Sequence, residues 1–148
     1  MDDTLEEDPQ RAALEQVICL LTPLRQHRQA SAERAQREAQ VELKSMLDHL
    51  SATRASLSLA RDHHRKRRES LSEDHLEKTI SLNDVDRWHE KEKNMLDRLA
   101  LIRQDIQQQQ LRITEQQALL EERQRQAKAS QRAVEKLACM SETLNEEG

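Results

Sequence analysis

Apolar residues recur at alternating steps of three and four residues through the carboxyl-terminal part of the chain. The series begins at Val85 and keeps one register as far as Leu144. Such a heptad pattern predicts an α-helix that packs on another helix along a narrow apolar seam. The predicted seam positions are Val85, Trp88, Glu92, Met95, Leu99, Ile102, Ile106, Gln109, Ile113, Gln116, Leu120, Arg123, Ala127, Ser130, Val134, Leu137, Ser141 and Leu144. Its polar members predict a seam that is weaker after Ile106.

The amino-terminal part has a less regular pattern. Leucine and valine open a heptad over residues 14–24, and a rhythm of eleven residues that straightens a supercoil follows. From Met46 the heptad returns. The seam predicted for this part is Leu14, Val17, Leu21, Leu24, Arg28, Ala32, Ala35, Ala39, Leu43, Met46, Leu50, Thr53, Leu57 and Ala60.

Helix breakers are confined to the two ends of the chain, with none between Pro23 and Gly148. The pairs Asp8-Pro9 and Thr22-Pro23 each place a capping side chain before a proline, which is suited to the first position of a helix. Two alternatives follow. Pro23 starts a long helix after a short one, or it kinks a helix that runs from Pro9.

Cap signals also predict where this first helix gives way to a second one. Asn83 can cap a helix whose first turn holds Asp84, and Ser81 with Asp84 is an alternative capping pair. Residues 70–72, which include two serines, offer a rival break. We place the turn between Lys78 and Val85, because that position divides the chain into nearly equal arms.

These signals predict an all-α fold, a long antiparallel two-helix coiled-coil hairpin in one elongated domain. It comprises an acidic tail over 1–8, a first arm over 9–79, a turn over 80–84 and a second arm over 85–145. At 1.5 Å per residue each arm is about 90–105 Å long. Cys19 and Cys139 then lie together at the open end of the hairpin, with both chain termini.

Composition supports long helices over a globule. Slightly more than half of the residues are Ala, Glu, Lys, Leu or Arg, which is typical of coiled coils, and Trp88 is the sole aromatic residue. High charge and low hydrophobicity leave disorder in isolation as an alternative. No apolar run reaches the length of a membrane span or a leader, so we expect a cytoplasmic protein without direct membrane insertion.

The sequence contains no motif for catalysis. It lacks a glycine-rich phosphate loop and any Cys/His spacing typical of a metal site. We therefore expect no enzyme activity, no cofactor and no metal. A basic run holds Arg65, Lys66, Arg67 and Arg68, but no aromatic residue lies within it to stack a base, and the net charge is −4. An acidic protein surface is the expected partner of this run, and nucleic acid is not.

Five apolar residues are further candidates for protein binding. Trp88 either packs in the seam or anchors a partner, since tryptophan is enriched among binding hot spots. Met95 and Leu99 follow it on the same helix. Leu21 and Leu137 belong to the two terminal segments, whose apolar content exceeds what their mutual packing needs.

The segment from Ile80 to Lys93 reads ISLNDVDRWHEKEK, and it follows a long helical arm in a chain with acidic ends and a basic middle. These features resemble the central stalk family of type III secretion ATPases, which includes the flagellar FliJ and injectisome YscO types. The segment is most similar to the turn and second helix start of the HrpO type from plant-pathogen Hrp systems. The resemblance covers essentially the whole chain.

The resemblance implies a bacterial, cytoplasmic stalk at the inner membrane that serves virulence. Such a stalk enters the pore of the hexameric secretion ATPase, links it to the export gate protein and handles secretion chaperones. Flagellar stalks use second-helix side chains near the turn to reach the gate, and Trp88, Met95 and Leu99 occupy the comparable place. A chaperone-like or adaptor coiled coil that binds helical partners is the alternative. Both hypotheses give the chain a role in protein transport without catalysis.

Overall fold

The chain folds into two long α-helices that pack against each other as an antiparallel hairpin. The computed structural model describes residues 8–76 and 81–147, and for residues 75 and 76 it describes the backbone alone. Helix α1 spans Pro9–Leu76 and helix α2 spans Leu82–Glu147. No strand occurs in these described ranges. The predicted all-α fold class is therefore confirmed.

Helix α1 begins where the sequence predicted it. The Asp8 carboxylate accepts a hydrogen bond from the Gln10 amide at 3.1 Å, and Pro9 takes the first helical position. A proline costs nothing there because the first amide of a helix has no partner within the helix. The acidic tail predicted over 1–8 lies outside the described residues, apart from this capping aspartate.

Pro23 lies inside α1 and does not start a second helix. The hydroxyl of Thr22 donates a hydrogen bond to the Ile18 carbonyl at 2.7 Å, so it does not cap. An interior proline costs roughly 3 kcal/mol, yet buried Ile18 anchors the preceding turn against α2. Of the two alternatives for this proline, the structure has one helix running through it. The rival break at 70–72 is also wrong, since α1 continues to Leu76.

Helix α2 is capped by Ser81, which settles the choice between the two predicted caps. The Ser81 hydroxyl and carbonyl accept hydrogen bonds from the Asp84 amide at 3.2 and 3.1 Å. Asn83, the other candidate cap, falls within the first helical turn. The start at Leu82 lies inside the interval predicted for the turn. Residues 77–80 of that interval lie outside the described residues.

The chain divides into two compact units, which cut across both helices. Unit 1 comprises the described residues up to Glu42 and those from Gln116 onward, and unit 2 comprises Leu43–Glu115. That the two units belong to one domain stays a prediction.

Unit 2 contains a continuous cluster of buried apolar residues. Helix α1 contributes leucines and α2 contributes leucine and isoleucine, in a ladder that buries one residue every seven along each helix. The core members are Leu50, Leu57, Leu99, Ile106 and Ile113, with Leu43, Met46, Ala60 and Ile102 packed at its edge. This spacing is the knobs-into-holes repeat of a coiled coil.

Unit 1 is held by small apolar residues and by polar side chains that reach across to the opposite backbone. Its buried apolar residues are Ile18, Ala39, Ala127 and Leu137. The Arg25 guanidinium donates to the Ala133 carbonyl at 3.0 Å, and the Gln116 amide donates to the Ala39 carbonyl at 3.0 Å. Ala39 lies after Arg25 in α1, whereas its partner Gln116 lies before Ala133 in α2. This reversed order is what antiparallel helices require.

The seam predicted for α2 is confirmed by its burial. Every predicted position except Val85 is buried or half-buried. Gln109 and Gln116 belong to this seam and do not point into solvent, because each donates a hydrogen bond to α1.

The seam predicted for the start of α1 is wrong by one residue. Leu14, Val17, Leu24 and Arg28 are exposed. The residues that face α2 instead keep a heptad without the predicted eleven-residue rhythm, and all are buried or half-buried: Ile18, Thr22, Arg25, Gln29, Ala32, Gln36, Ala39 and Leu43. The polar members fit there because their amide and guanidinium groups can reach backbone carbonyls or water at the edge of the interface.

Candidate interaction surfaces

A groove in unit 2 brings together Trp88 and part of the basic run. Helix α1 contributes His64, Arg67, Arg68 and Leu71 to its lining, and α2 contributes Asp84, Arg87, Trp88, Lys91, Glu92 and Met95. Its volume is about 290 Å³, near the lower end of the range for ligand pockets. We call it the Trp88 groove.

The Trp88 groove exists because polar side chains occupy seam positions there. His64 and Leu71 continue the heptad of Leu50 and Leu57, and they line the groove together with Glu92 and Trp88 of α2. An imidazole and a carboxylate do not interdigitate as two leucines would, so the helices leave a gap over Leu71, Trp88 and Met95. The result is an apolar floor between charged walls.

Cations outnumber carboxylates on those walls. Arg67, Arg68, Arg87 and Lys91 stand against Asp84 and Glu92, a net charge of about +2 with histidine neutral. One pair crosses the groove, with the Arg68 Nε lying 3.4 Å from a Glu92 carboxylate oxygen. Among the residues that the structure describes, no carboxylate pairs with Arg67, Arg87 or Lys91. The groove therefore favours a partner that is apolar with an acidic border.

His64 adds an unsatisfied polar atom to this groove. Its Nε2 is buried and has no hydrogen-bond partner in the described part of unit 2. A buried nitrogen without a partner costs free energy, about 1–3 kcal/mol for a typical group. A ligand atom or a water molecule that reached His64 would remove that cost.

The basic run is divided between two environments. Arg67 and Arg68 line the Trp88 groove, while Arg65 lies 3.5 Å from the Asp62 carboxylate and Lys66 is exposed. Arg87 and Lys91, which sequence reasoning did not single out, complete the cationic wall. Nothing in the pattern of α2 alone distinguishes them from other exposed basic residues.

The apolar candidates separate into core and surface. Leu99 is 4% exposed and Leu137 is 3% exposed, so both are core residues with no side-chain area left for a partner. Trp88 and Met95 are half-buried and contribute to the groove floor. Leu21 is half-buried in unit 1 and belongs to a surface that the sequence pattern had placed in the seam.

That surface is a row of apolar side chains on α1, which we call the amino-terminal stripe. It consists of Leu14, Val17, Leu20, Leu21 and Leu24, of which Leu20 is the most exposed at 68%. The stripe is exposed to solvent because Ile18 and Arg25, the next residues around the helix, occupy the positions that face α2. Counting back from Met46 by sevens does reach Arg25 and Ile18, but an arginine at a seam position gives this register no advantage in the sequence over the register of the leucines.

Within ranges 8–76 and 81–147, no three His, Cys, Asp or Glu side chains come together as a metal would require. No helix in those ranges has a stretch that is both long and apolar enough to cross a bilayer. Cys19 and Cys139 are both exposed free thiols.

No family model matches the chain, and no match was found among curated proteins or among solved structures. The Trp88 groove and the amino-terminal stripe are therefore interpreted from their own chemistry.

Proposed function

We propose that this chain is a non-enzymatic coupling protein of a type III secretion export apparatus, a stalk that binds the hexameric secretion ATPase and the export gate protein. The observation that carries the proposal is the presence of two surfaces of different chemistry on a helical hairpin. The amino-terminal stripe is purely apolar, and the Trp88 groove is apolar with a cationic border. Two such surfaces suit a protein with two partners, as the resemblance to the stalk family implies.

The amino-terminal stripe is the proposed contact with the ATPase. Leu14, Val17, Leu21 and Leu24 follow one another at steps of three and four residues, the spacing that lets a helix pack on an apolar wall, and all but half-buried Leu21 are exposed. The Trp88 groove is the proposed contact with the export gate. It is the surface that carries Trp88, and a half-buried tryptophan with arginine beside it has the composition of a binding hot spot.

ATPase stimulation tests this assignment with a pair of matched variants. Val17 and Val41 both lie on α1 within unit 1, and both are exposed, but only Val17 belongs to the stripe. We expect Val17→Asp to abolish stimulation of the purified secretion ATPase from the same organism and Val41→Asp to retain it. Circular dichroism should show equal helicity for the two. Leu137→Asp is unsuitable here, because a buried carboxylate would disrupt unit 1.

Trp88→Ala tests the second surface. It should leave ATPase stimulation intact and reduce secretion in cells. Loss of stimulation in Trp88→Ala with stimulation intact in Val17→Asp would reverse the assignment of the two surfaces. If neither change altered secretion while both proteins remained present, the stalk proposal would be wrong.

The amino-terminal stripe also favours a second candidate function. A row at heptad spacing fits any amphipathic helix, so the chain would serve as an adaptor for secretion chaperones or other helical partners. Stripe-dependent binding to several unrelated helical proteins, without ATPase stimulation, would identify that role. The stalk proposal instead requires stimulation of hydrolysis.

A further inference from the structure

The amino-terminal stripe points to a second copy of this chain. Among the described residues it is the longest row of exposed apolar side chains: Leu14, Val17, Leu20 and Leu24 are 39–68% exposed, and Leu21 is half-buried. Nothing else among the described residues of unit 1 covers it. Exposed apolar rows of this kind are typical of interaction sites.

The spacing of the stripe residues indicates that a helix would cover them. Steps of three, four and three residues place Leu14 and Leu21 at one core position of a heptad, with Val17 and Leu24 at the other. Four such layers make a short coiled-coil interface for one more helix. Polar residues bound it, since Gln10 precedes the first layer and Arg28 follows the last at heptad spacing.

Charge decides between the two ways in which a second stripe could lie on the first. In a parallel pair identical residues face each other, so Arg28 would meet Arg28 and the exposed Leu20 would lie beside Arg25 of the other copy. Like charges directly opposed are destabilising. An antiparallel pair places Arg28 against the uncharged Gln10, two residues from Asp8, and so removes this repulsion.

The antiparallel pair also completes the apolar packing. Leu14 then packs on Leu24 of the second copy, and Val17 packs on its Leu21. Each of the four layers therefore holds one apolar residue from each copy. Leu20 lies beside the twofold axis. Measured along the helix axis, Leu20 of one copy and Leu20 of the other are only about 3 Å apart. One surface that matches itself in this way is the requirement for a twofold interface.

We propose that the chain forms a homodimer through antiparallel pairing of its amino-terminal stripes. The inference goes beyond the proposed function and does not rest on it. The stripe offers five apolar residues per copy, far fewer than the roughly 20–30 residues a side of a standard complex, so we expect dissociation constants in the micromolar range. A partner that binds the stripe would compete with the second copy, and the dimer is then the form in which the free protein shields these leucines.

Analytical ultracentrifugation of the full chain tests the proposal. The wild type should shift from monomer to dimer mass as its concentration rises through the micromolar range. Leu20→Glu places two carboxylates near the axis and should weaken dimerisation at least tenfold, with unchanged helicity. Val41→Glu, an equally exposed position of α1 outside the stripe, should match the wild type. A wild type that stays monomeric at hundreds of micromolar, or equal dimerisation of both variants, would overturn the proposal.

Disulfide crosslinking tests the orientation in a background with Cys19→Ser and Cys139→Ser. Leu14→Cys and Leu24→Cys proteins should crosslink with each other when mixed, and neither should crosslink with itself. Parallel pairing would give the opposite result, since each cysteine would then face its own copy. That result would overturn the antiparallel arrangement. Neither measurement includes an ATPase, so their failure is distinguishable from failure of the stalk proposal.

Discussion

Gln109 provides the sharpest test of how polar residues affect this hairpin. It is 5% exposed and lies in the core of unit 2, where its amide nitrogen donates to the Thr53 hydroxyl and to the Asp105 carboxylate, each at 3.0 Å. Its carbonyl oxygen Oε1 is buried without a hydrogen-bond partner in the described structure. This unsatisfied oxygen lowers the free energy of unfolding, and an apolar residue at the same position would not carry that cost.

The expected effect of Gln109→Leu follows from three contributions. Removing the unsatisfied oxygen gains about 1–3 kcal/mol, and losing the hydrogen bond to Thr53 costs about 1 kcal/mol. Greater apolar burial adds about 1 kcal/mol, since part of the glutamine stem is already buried. Asp105 is exposed and regains water. We expect a net gain of about 1–3 kcal/mol in the free energy of unfolding, which raises the melting temperature by about 2–12 °C.

Urea unfolding followed by circular dichroism at 222 nm measures this gain, and Gln116→Leu is the matched control. Gln116 is half-buried in unit 1, and its amide donates to the Ala39 carbonyl. Because no unsatisfied buried atom is removed there, we expect the control to gain less than half as much. A lower urea midpoint for Gln109→Leu than for the wild type would refute the reasoning. It would mean that the Gln109 network stabilises the seam.

Three further outcomes are expected. Spin labels on Cys19 and Cys139 should lie within a few nanometres in the monomer, because packed helix axes are about 8–10 Å apart; one extended helix would separate them by about 180 Å. Leu99→Ala should cost about 2–5 kcal/mol in urea unfolding because Leu99 is a buried core residue, whereas exposed Leu111→Ala should cost little. Ser81→Ala removes the α2 cap and should cost about 0.5–2 kcal/mol, and an unchanged midpoint would show that the cap is dispensable.

The sequence by itself determined the two helices and the seam of α2. The absence of breakers after Pro23, the cap pairs and the unbroken heptad from Trp88 to Leu144 were sufficient, because these signals are local or repeat at a fixed spacing. All of the α2 positions from Trp88 onward in that heptad are buried or half-buried. Such a pattern needs no knowledge of the partner helix.

Only the tertiary structure decided which face of the amino-terminal part meets α2. Two adjacent faces of α1 carry apolar residues there, and the heptad of Leu14, Val17, Leu21 and Leu24 predicted the wrong one of the two. The structure instead buries Ile18 and uses Arg25, whose guanidinium reaches the Ala133 carbonyl. A hydrogen bond to a residue far along the chain has no trace in local periodicity, and it makes a polar residue acceptable at a seam position.

The Trp88 groove was likewise beyond the sequence alone. Trp88 and the pair Arg67 and Arg68 were each recognisable, but nothing in their spacing showed that they border one groove with Arg87 and Lys91. That juxtaposition depends on which layer of α1 stands opposite which layer of α2. The alignment is fixed by the packing of core residues such as Leu57 and Leu99 between the helices, and a repeating seam alone leaves it open because neighbouring heptads look alike.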